Sequence, residues 1–399
     1  MESTTATLPG AALALIHTGA APTRSALTAK LGVTRATTGA IAGELRDLRL
    51  IQVTAASGDG HLGRPSHRLL PDPDGPVALA AELHTDGFAV ALIGLGAVTV
   101  ARVSRDLPVP ADPEQALAPV SAAAADLLRR SGRRCVGVAI AVPFAVTEPG
   151  GAAVGALYFG WPDGVKVSDI VAAQLAEHGV TGPNRAPLVC RAVNDVNAVA
   201  LAEHRHGAGR DAAHLLVVAA TRRGVGSALV LRGALYTGST GLAMEAGHVS
   251  IDPHGRPCPC GSRGCLNVET DAGRFLDAAG RVPGSAPLDA AITLLTAGYA
   301  SDPRVRAAAG TLIGRLGLGL ASLVNVVNPD RVLLGGLHKH LLLAAPDELR
   351  DAVAARSPWD RGASVPISPC ALDDAALIGA AELAWQPVLD NPAILRSPA

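Results

Sequence analysis

The chain is 399 residues long, 49% apolar and only 3% aromatic, with a formal net charge of −1. Such a length exceeds one core and calls for two or three domains, with apolar material enough to fold them without cross-links. Three of the six cysteines, Cys258, Cys260 and Cys265, crowd into eight residues, which excludes a disulfide framework and points to a metal in a reducing compartment.

Charge is unevenly spread. Residues 1–70 carry seven Lys or Arg against four acids, a net of +3, which leaves −4 for the remainder. A basic head on an acidic body points to nucleic acid at the N-terminus. The longest stretch without a charged residue, 3–23, contains Pro9, Gly10, His17 and Pro22, so it makes a poor membrane span, and no basic segment precedes it as in a signal peptide. The expected location is the cytoplasm, with no membrane contact.

Apolar spacing over residues 11–16 predicts a first helix that ends near Gly19, punctuated by Pro22 and Thr23. Residues 25–31 predict a two-turn helix with Leu27 and Leu31 on one face. Gly32 and Val33 make a tight turn, and Thr34 is an N-cap for a third helix over about 35–48 that buries Ile41, Leu45 and Leu48. Two short helices joined by a glycine-containing turn form a helix-turn-helix whose second helix is the reader. Its early residues, Thr34, Arg35, Thr37 and Thr38, are the candidate operator-DNA contacts. Arginine forks onto guanine, and threonine reaches a phosphate or base edge and touches a thymine methyl. Short strands at 51–53 and 67–70 flank a glycine-rich tip and form a wing, in which Arg64, between Gly63 and Pro65, suits the minor groove. Residues 71–76, rich in Pro, Asp and Gly, divide a winged helix-turn-helix domain at 1–75 from a body at 76–399.

The body opens with strands at 77–82, 88–93 and 98–103, then a helix over 113–130 and a buried strand at 135–142. Strands at 214–220 and 227–231, a long helix over 304–324, a strand at 331–334 and a closing helix over 372–385 repeat that grammar. Alternation in two similar halves predicts a duplicated α/β architecture with a cleft between the halves.

The most specific motif is the run from 248 to 265, GHVSIDPHGRPCPCGSRGC when read from Gly247. Cys258, Cys260 and Cys265 with one imidazole, from His248 or His254, make a tetrahedral set of three thiolates and one nitrogen, the donor set of structural zinc. A loop broken by Pro257, Pro259, Gly261 and Gly264 folds cysteines two apart onto one ion, which a helix could not do. Four protein ligands leave no open position for water, so the metal is expected to be structural.

Glu245-Ala-Gly-His248, the cysteine run and Leu266 resemble the signature of the ROK family of repressors, open reading frames and kinases. The resemblance extends to Asn194-Asp195-Val-Asn197, to Gly335-Gly336 after Asn328-Pro329-Asp330, and to the head with its Gly-Arg-Pro wing. It implies an actin-like ATPase (sugar-kinase-like) α/β body, a sugar pocket in the interdomain cleft, and a homodimer or homotetramer. It makes Asn194 and Asp195 contacts to sugar hydroxyls, Asp195 being the family's general base, and adds Glu245 and His248, the latter also as the zinc ligand. The chain departs from the kinases at three places. The first phosphate loop reads Glu82-Leu-His84-Thr85-Asp86, where kinases have an aspartate and a Gly-Gly-Thr turn. The second reads Arg222-Arg223-Gly224 for Gly-Thr-Gly. Asn267 stands where a sugar-binding glutamate is expected, with Glu269 two places on. Backbone N–H groups cradle phosphate only where glycine permits the tight turn.

The expectation is therefore a regulator of carbohydrate metabolism, not an enzyme, that binds operator DNA and answers to a sugar or sugar phosphate. The alternatives are an active ATP-dependent sugar kinase with an accessory head, and a constitutive DNA-binding protein whose body is a scaffold. Retention of Asp195 favours the kinase; loss of both glycine loops opposes it.

Overall fold

The computed structural model describes residues 6–55, 66–106, 112–156, 158–222, 224–358 and 365–396. Arg64 and Arg223 lie outside the described residues.

The N-terminal head comprises α1 (Leu8–His17), α2 (Arg24–Leu31), α3 (Arg35–Asp47), β1 (Ile51–Thr54) and β2 (Arg68–Pro71). A threonine opens each helix: the hydroxyls of Thr7, Thr23 and Thr34 accept from the N–H groups of Gly10, Ala26 and Thr37, donors a helix start would otherwise leave unmet. α2 stops at Gly32, whose φ of 65° is a left-handed position that glycine occupies without a Cβ penalty. β1 and β2 pair antiparallel with Ile51 opposite Pro71. Leu48 is only half-buried at the end of α3; Leu50 and Ile51 fill the core there instead.

The first half of the body contains β3 (Val77–His84), β4 (Gly87–Gly94), β5 (Val98–Asp106), α4 (Pro113–Ser131), β6 (Cys135–Val142), the hairpin β7 (Ala145–Val146) and β8 (Ala153–Val154), α5 (Val167–Glu177), β9 (Cys190–Asn194) and α6 (Asp195–His206). The second half contains β10 (His214–Thr221), β11 (Gly224–Leu231), β12 (Ala234–Leu235), α7 (Leu266–Glu269), α8 (Ala272–Ala278), α9 (Pro287–Gly298), α10 (Pro303–Val327), β13 (Arg331–Gly335), α11 (Gly336–Ala344), α12 (Pro346–Ala354) and β14 (Ile367–Pro369). α13 (Ala375–Asp390) returns to the first half.

The two principal sheets run β5-β4-β3-β6-β9 and β12-β11-β10-β13-β14. In each, the first strand in the chain pairs antiparallel with its successor and parallel with the strand that follows the crossover helix or helices. The body is thus a duplicated α/β fold, as its order of elements predicts, of the actin-like kind that the family resemblance implies. Among the helices not anticipated from sequence, α6 is buried on more than one face and so lacks a clean apolar stripe. α10 is long and apolar enough to cross a membrane, yet 56% of the relevant window is buried inside the protein.

α13 is the element on which the parts converge. It packs on β3, β6, α6 and α1. One apolar cluster runs from Leu13, Leu27 and Leu45 of the head to Leu377, Trp385 and Val388 of α13, and Trp385 donates its indole N–H to the Ile93 carbonyl at 3.0 Å. The Thr7 N–H donates to the Asp390 carbonyl at 2.9 Å. At the crossing of α6 and α13, Gly379 lies directly on the Ala198 carbonyl, where a Cβ would come within 1.8 Å of the oxygen. Gly379→Ala is therefore expected to cost about 1–3 kcal/mol of stability. Gly43→Ala, in α3 with open space around the position, should gain up to about 1 kcal/mol. Thermal melts should move in opposite directions for the two variants. A Gly379→Ala chain that melts like the wild type would contradict the close crossing.

Candidate functional site

In the head, Thr34 uses its hydroxyl to cap α3 and lies 2.9 Å from the Thr37 hydroxyl. Arg35 is exposed on the first turn. Thr38 corrects the sequence reading. It is buried, its hydroxyl donates to the Thr34 carbonyl at 3.2 Å, and it accepts from Thr28 at 2.9 Å. A threonine engaged in tying α3 to α2 is not presented to a groove. Thr34 and Arg35 stay exposed and Thr37 half-buried on α3, with small exposed neighbours at Ala36 and Ala40.

Two cavities share the interdomain cleft, with Asp195 in the wall of both. The first, about 430 Å³, brings together Asn194, Asp195, Glu245, His248 and Asn267. Spacing in the chain gave no hint that residues more than seventy positions apart would meet; the family resemblance did. Asn194 is a structural member: its side-chain oxygen accepts from the N–H groups of Val196 and Asn197 at the start of α6, and its amide donates to the Phe144 carbonyl at 3.3 Å. Asp195 is the first residue of α6 and accepts from the Val196 N–H at 2.8 Å. Burial pushes its carboxyl up to about 7, against the lowering effect of that hydrogen bond, with the charge of Glu245 adding to the rise. Burial also raises the carboxyl of Glu245, which the neighbouring His248 opposes.

Asn267, a candidate ligand contact where the family pattern has a glutamate, lines the cavity and has a second role. It is buried, its oxygen accepts from the Val225 N–H at 2.6 Å, and its amide points at the Cys258 sulfur at 3.9 Å. It braces the second loop against the cysteine loop, and a Cβ at Gly224 would strike its oxygen. Glu269 does not replace it in the cavity. That carboxylate is fully buried, accepts from the Arg256 N–H at 2.8 Å, and pairs with Arg315 and Arg274. Sequence analysis also missed Phe144, Phe159 and Trp161, whose rings lie 5.1–5.6 Å apart beside the cavity. Their concentration in an aromatic-poor chain was the signal available.

His248, Cys258, Cys260 and Cys265 converge so that their ligand atoms all lie within 4.8 Å of one another, a cluster that could hold a metal ion. Cys258 Sγ is 3.7 Å from His248 Nδ1, and Cys260 Sγ is 3.7 Å from Cys265 Sγ. With Nδ1 turned to the sulfurs, Nε2 is the nitrogen left to a cavity ligand.

The second cavity, about 370 Å³, occupies the phosphate-loop end of the cleft. Side chains fill what glycine leaves open in a phosphate cradle. Arg222 pairs with Asp86 at 3.2 Å and Arg102 with Asp374 at 3.0 Å. Burial raises the Glu82 carboxyl to about 8, with Asp195 and Asp374 adding to it. Burial and the charge of Arg222 lower the His84 imidazole to about 4. Arg102, Asp374 and Lys339 are cavity residues that sequence reasoning did not select.

Raised carboxyls carry a definite sign. The folded values for Asp195 and Glu82 lie above the unfolded ones, so their contribution to stability is complete below about pH 4 and is lost as pH rises through 7 to 8. Asp195→Asn should melt with the wild type near about pH 5 but roughly 2 °C or more above it near about pH 9. Equal melting temperatures across that range would refute a buried carboxyl of this kind.

The sequence profile of the ROK family matches residues 80–386. A glucokinase of Thermotoga maritima is 32% identical over 155 residues, 36% of this chain and 49% of that protein. The DNA-binding transcriptional dual regulator NagC of Escherichia coli is 29% identical over 185 residues, 44% of this chain and 45% of that protein. The chain thus spans about half the length of these curated relatives. A crystal structure of a ROK family transcriptional regulator, a homolog of the E. coli Mlc protein, superposes with a TM-score of 0.74 at 22% identity, covering 97% of this chain and 96% of that one. That last likeness reaches into the head and shows the fold.

Proposed function

The chain belongs to the ROK family, and from that premise we propose that it is a sugar-responsive transcriptional repressor, without kinase activity, that acts in the cytoplasm as a homodimer or homotetramer. The winged helix-turn-helix of residues 1–75 reads operator DNA through Thr34, Arg35 and Thr37 on α3 and through the wing with Arg64. Residues 76–399 take a sugar or sugar phosphate in the cleft. A ligand that favours one arrangement of the halves shifts the population of head positions and so the fit to paired half-sites.

One observation carries this reading. The Arg222–Asp86 ion pair occupies the two loops that would have to cradle ATP phosphates, while the other end of the cleft keeps Asp195, Glu245 and His248 around a cavity of about 430 Å³. Phosphoryl transfer is positioning and charge neutralisation, and here Arg222 and Arg102 at the phosphate end are already paired with Asp86 and Asp374. Carboxylates and amides at the sugar end offer acceptors and donors to vicinal hydroxyls. A kinase is the second reading, favoured by Asp195, a carboxyl raised to about 7 where the family's base stands.

Two measurements on the purified chain decide. ATP turnover with D-glucose, N-acetyl-D-glucosamine or D-xylose should stay at background; turnover at enzymatic rates establishes the kinase. One of these sugars or its 6-phosphate should raise the melting temperature, since a ligand of the native state adds about 2.7 kcal/mol at about 100 times its Kd. No shift with any of them would favour a scaffold body.

We further propose that His248, Cys258, Cys260 and Cys265 hold a structural zinc. In a tetrahedral site with bonds of about 2.0–2.3 Å, donor atoms stand about 3.5–3.8 Å apart, and the two 3.7 Å separations here suit it. The ion would fix the loop that presents Glu245 and His248. Cys258→Ser should lose one equivalent of zinc by elemental analysis and melt at a lower temperature. Unchanged metal content would end the zinc assignment.

A further inference from the structure

Glu382 of α13 is charged and fully buried, a placement tolerated only when donors replace the lost water. Three side chains do so. His17 Nε2 and His206 Nε2 each donate to Oε1 at 2.8 Å, and Arg205 donates to Oε2 at 2.6 Å. Burial works to raise this carboxyl, but His17, His206 and Arg205 outweigh it and hold it well below the usual carboxylate range. The donors come from different parts of the protein: His17 ends α1 in the head, and Arg205 and His206 end α6 in the body.

His17, His206 and Glu382 are close enough to share a metal, but the proton positions argue against one. His17 Nδ1 accepts the Gly96 N–H at 2.9 Å, so a neutral ring carries its proton on Nε2, aimed at Glu382. A metal on Nε2 would require that ring to lose both protons, beside the Arg205 cation. The group is an ion cluster that fastens the head to the body.

The other end of α6 lies in the cleft. Asn194 caps the helix and Asp195 opens it in the wall of both cavities. Twelve helical residues separate the two ends by about 18 Å. α6 is locked to α13 along that length, by Gly379 on the Ala198 carbonyl and by Arg205 donating to Gln386 Oε1 at 2.6 Å. Just past α6, Arg210 donates to the Thr18 carbonyl at 2.7 Å. A displacement at Asp195 therefore reaches α1 through packed helix, with no flexible segment between.

We propose that α6 couples occupancy of the cleft to the position of the DNA-reading head, with Glu382 and His17 as the positioning residues that carry the coupling across the junction. This rests on the reading of cleft and head given above. It adds a route for the signal, and a route with two discrete ends can be tested by coupling measurements.

Hydrogen exchange of the full chain, read on residues 8–17, is the test. Glu382→Gln should speed exchange there by about tenfold or more while leaving β3 and β4 unchanged. Asp195→Arg, which places a longer side chain of opposite charge in the wall of both cavities, should change exchange at residues 8–17 in the wild type and not in the Glu382→Gln background. Should Glu382→Gln fail to fold, His17→Leu leaves the body's own ion pair intact and serves in the same cycle. No change at residues 8–17 with Asp195→Arg, or the same change in both backgrounds, overturns the proposal. D-glucose, N-acetyl-D-glucosamine and D-xylose run alongside: if none shifts the melting temperature, the sugar reading falls, and the Asp195→Arg cycle still decides the coupling.

Discussion

Gly379 resting on the Ala198 carbonyl, with no side chain between, is the contact on which the arrangement of the molecule depends. It allows α6 and α13 to approach at backbone distance. α13 lies across β3 and β6 and against α1, and α6 lies against β10 and β11. The crossing thus joins the first half, the second half and the head. Packed interiors are close to rigid, so elements held this tightly shift together or not at all. The cleft opens at one end of α6, and the head is fastened at the other.

The two ends of the cleft differ in the side chains that line them. A phosphate cradle needs backbone N–H groups presented without side chains. Here the corresponding end of the cleft holds Arg222 on Asp86 and Arg102 on Asp374. At the opposite end the donors and acceptors suited to hydroxyls persist, backed by the loop that carries the cysteines. Asn267 and Glu269 belong to that backing. Asn267 braces the second loop through Val225 while lining the cavity, and Glu269 holds Arg256, Arg274 and Arg315 outside it.

Legibility in the sequence followed the range of the interaction. Thr34 caps α3 and Gly32 ends α2 within one turn of chain, and both were readable. The hairpin of Ile51–Thr54 and Arg68–Pro71 was readable as two short strands flanking a glycine-rich stretch. Thr38 was misread because spacing along a helix says which face a residue occupies but not what partner its hydroxyl finds; Thr28 had taken it. Asn194, placed at the sugar by the family resemblance, lines the cavity and also caps the first turn of α6, a second role that spacing does not reveal.

By itself the sequence determined the elements of the head, the order of strands and helices that makes the body a duplicated α/β fold, and the three cysteines able to hold a metal with one histidine. Those depend on propensity, period and donor chemistry, which are properties of short segments. Only the tertiary structure decided that Glu382 would gather His17, Arg205 and His206 on one carboxylate, and that Asp195 would stand in the wall of two cavities. A buried charge selects its partners by position in space after the chain has closed on itself, and nothing local to residue 17 or 382 carries that information.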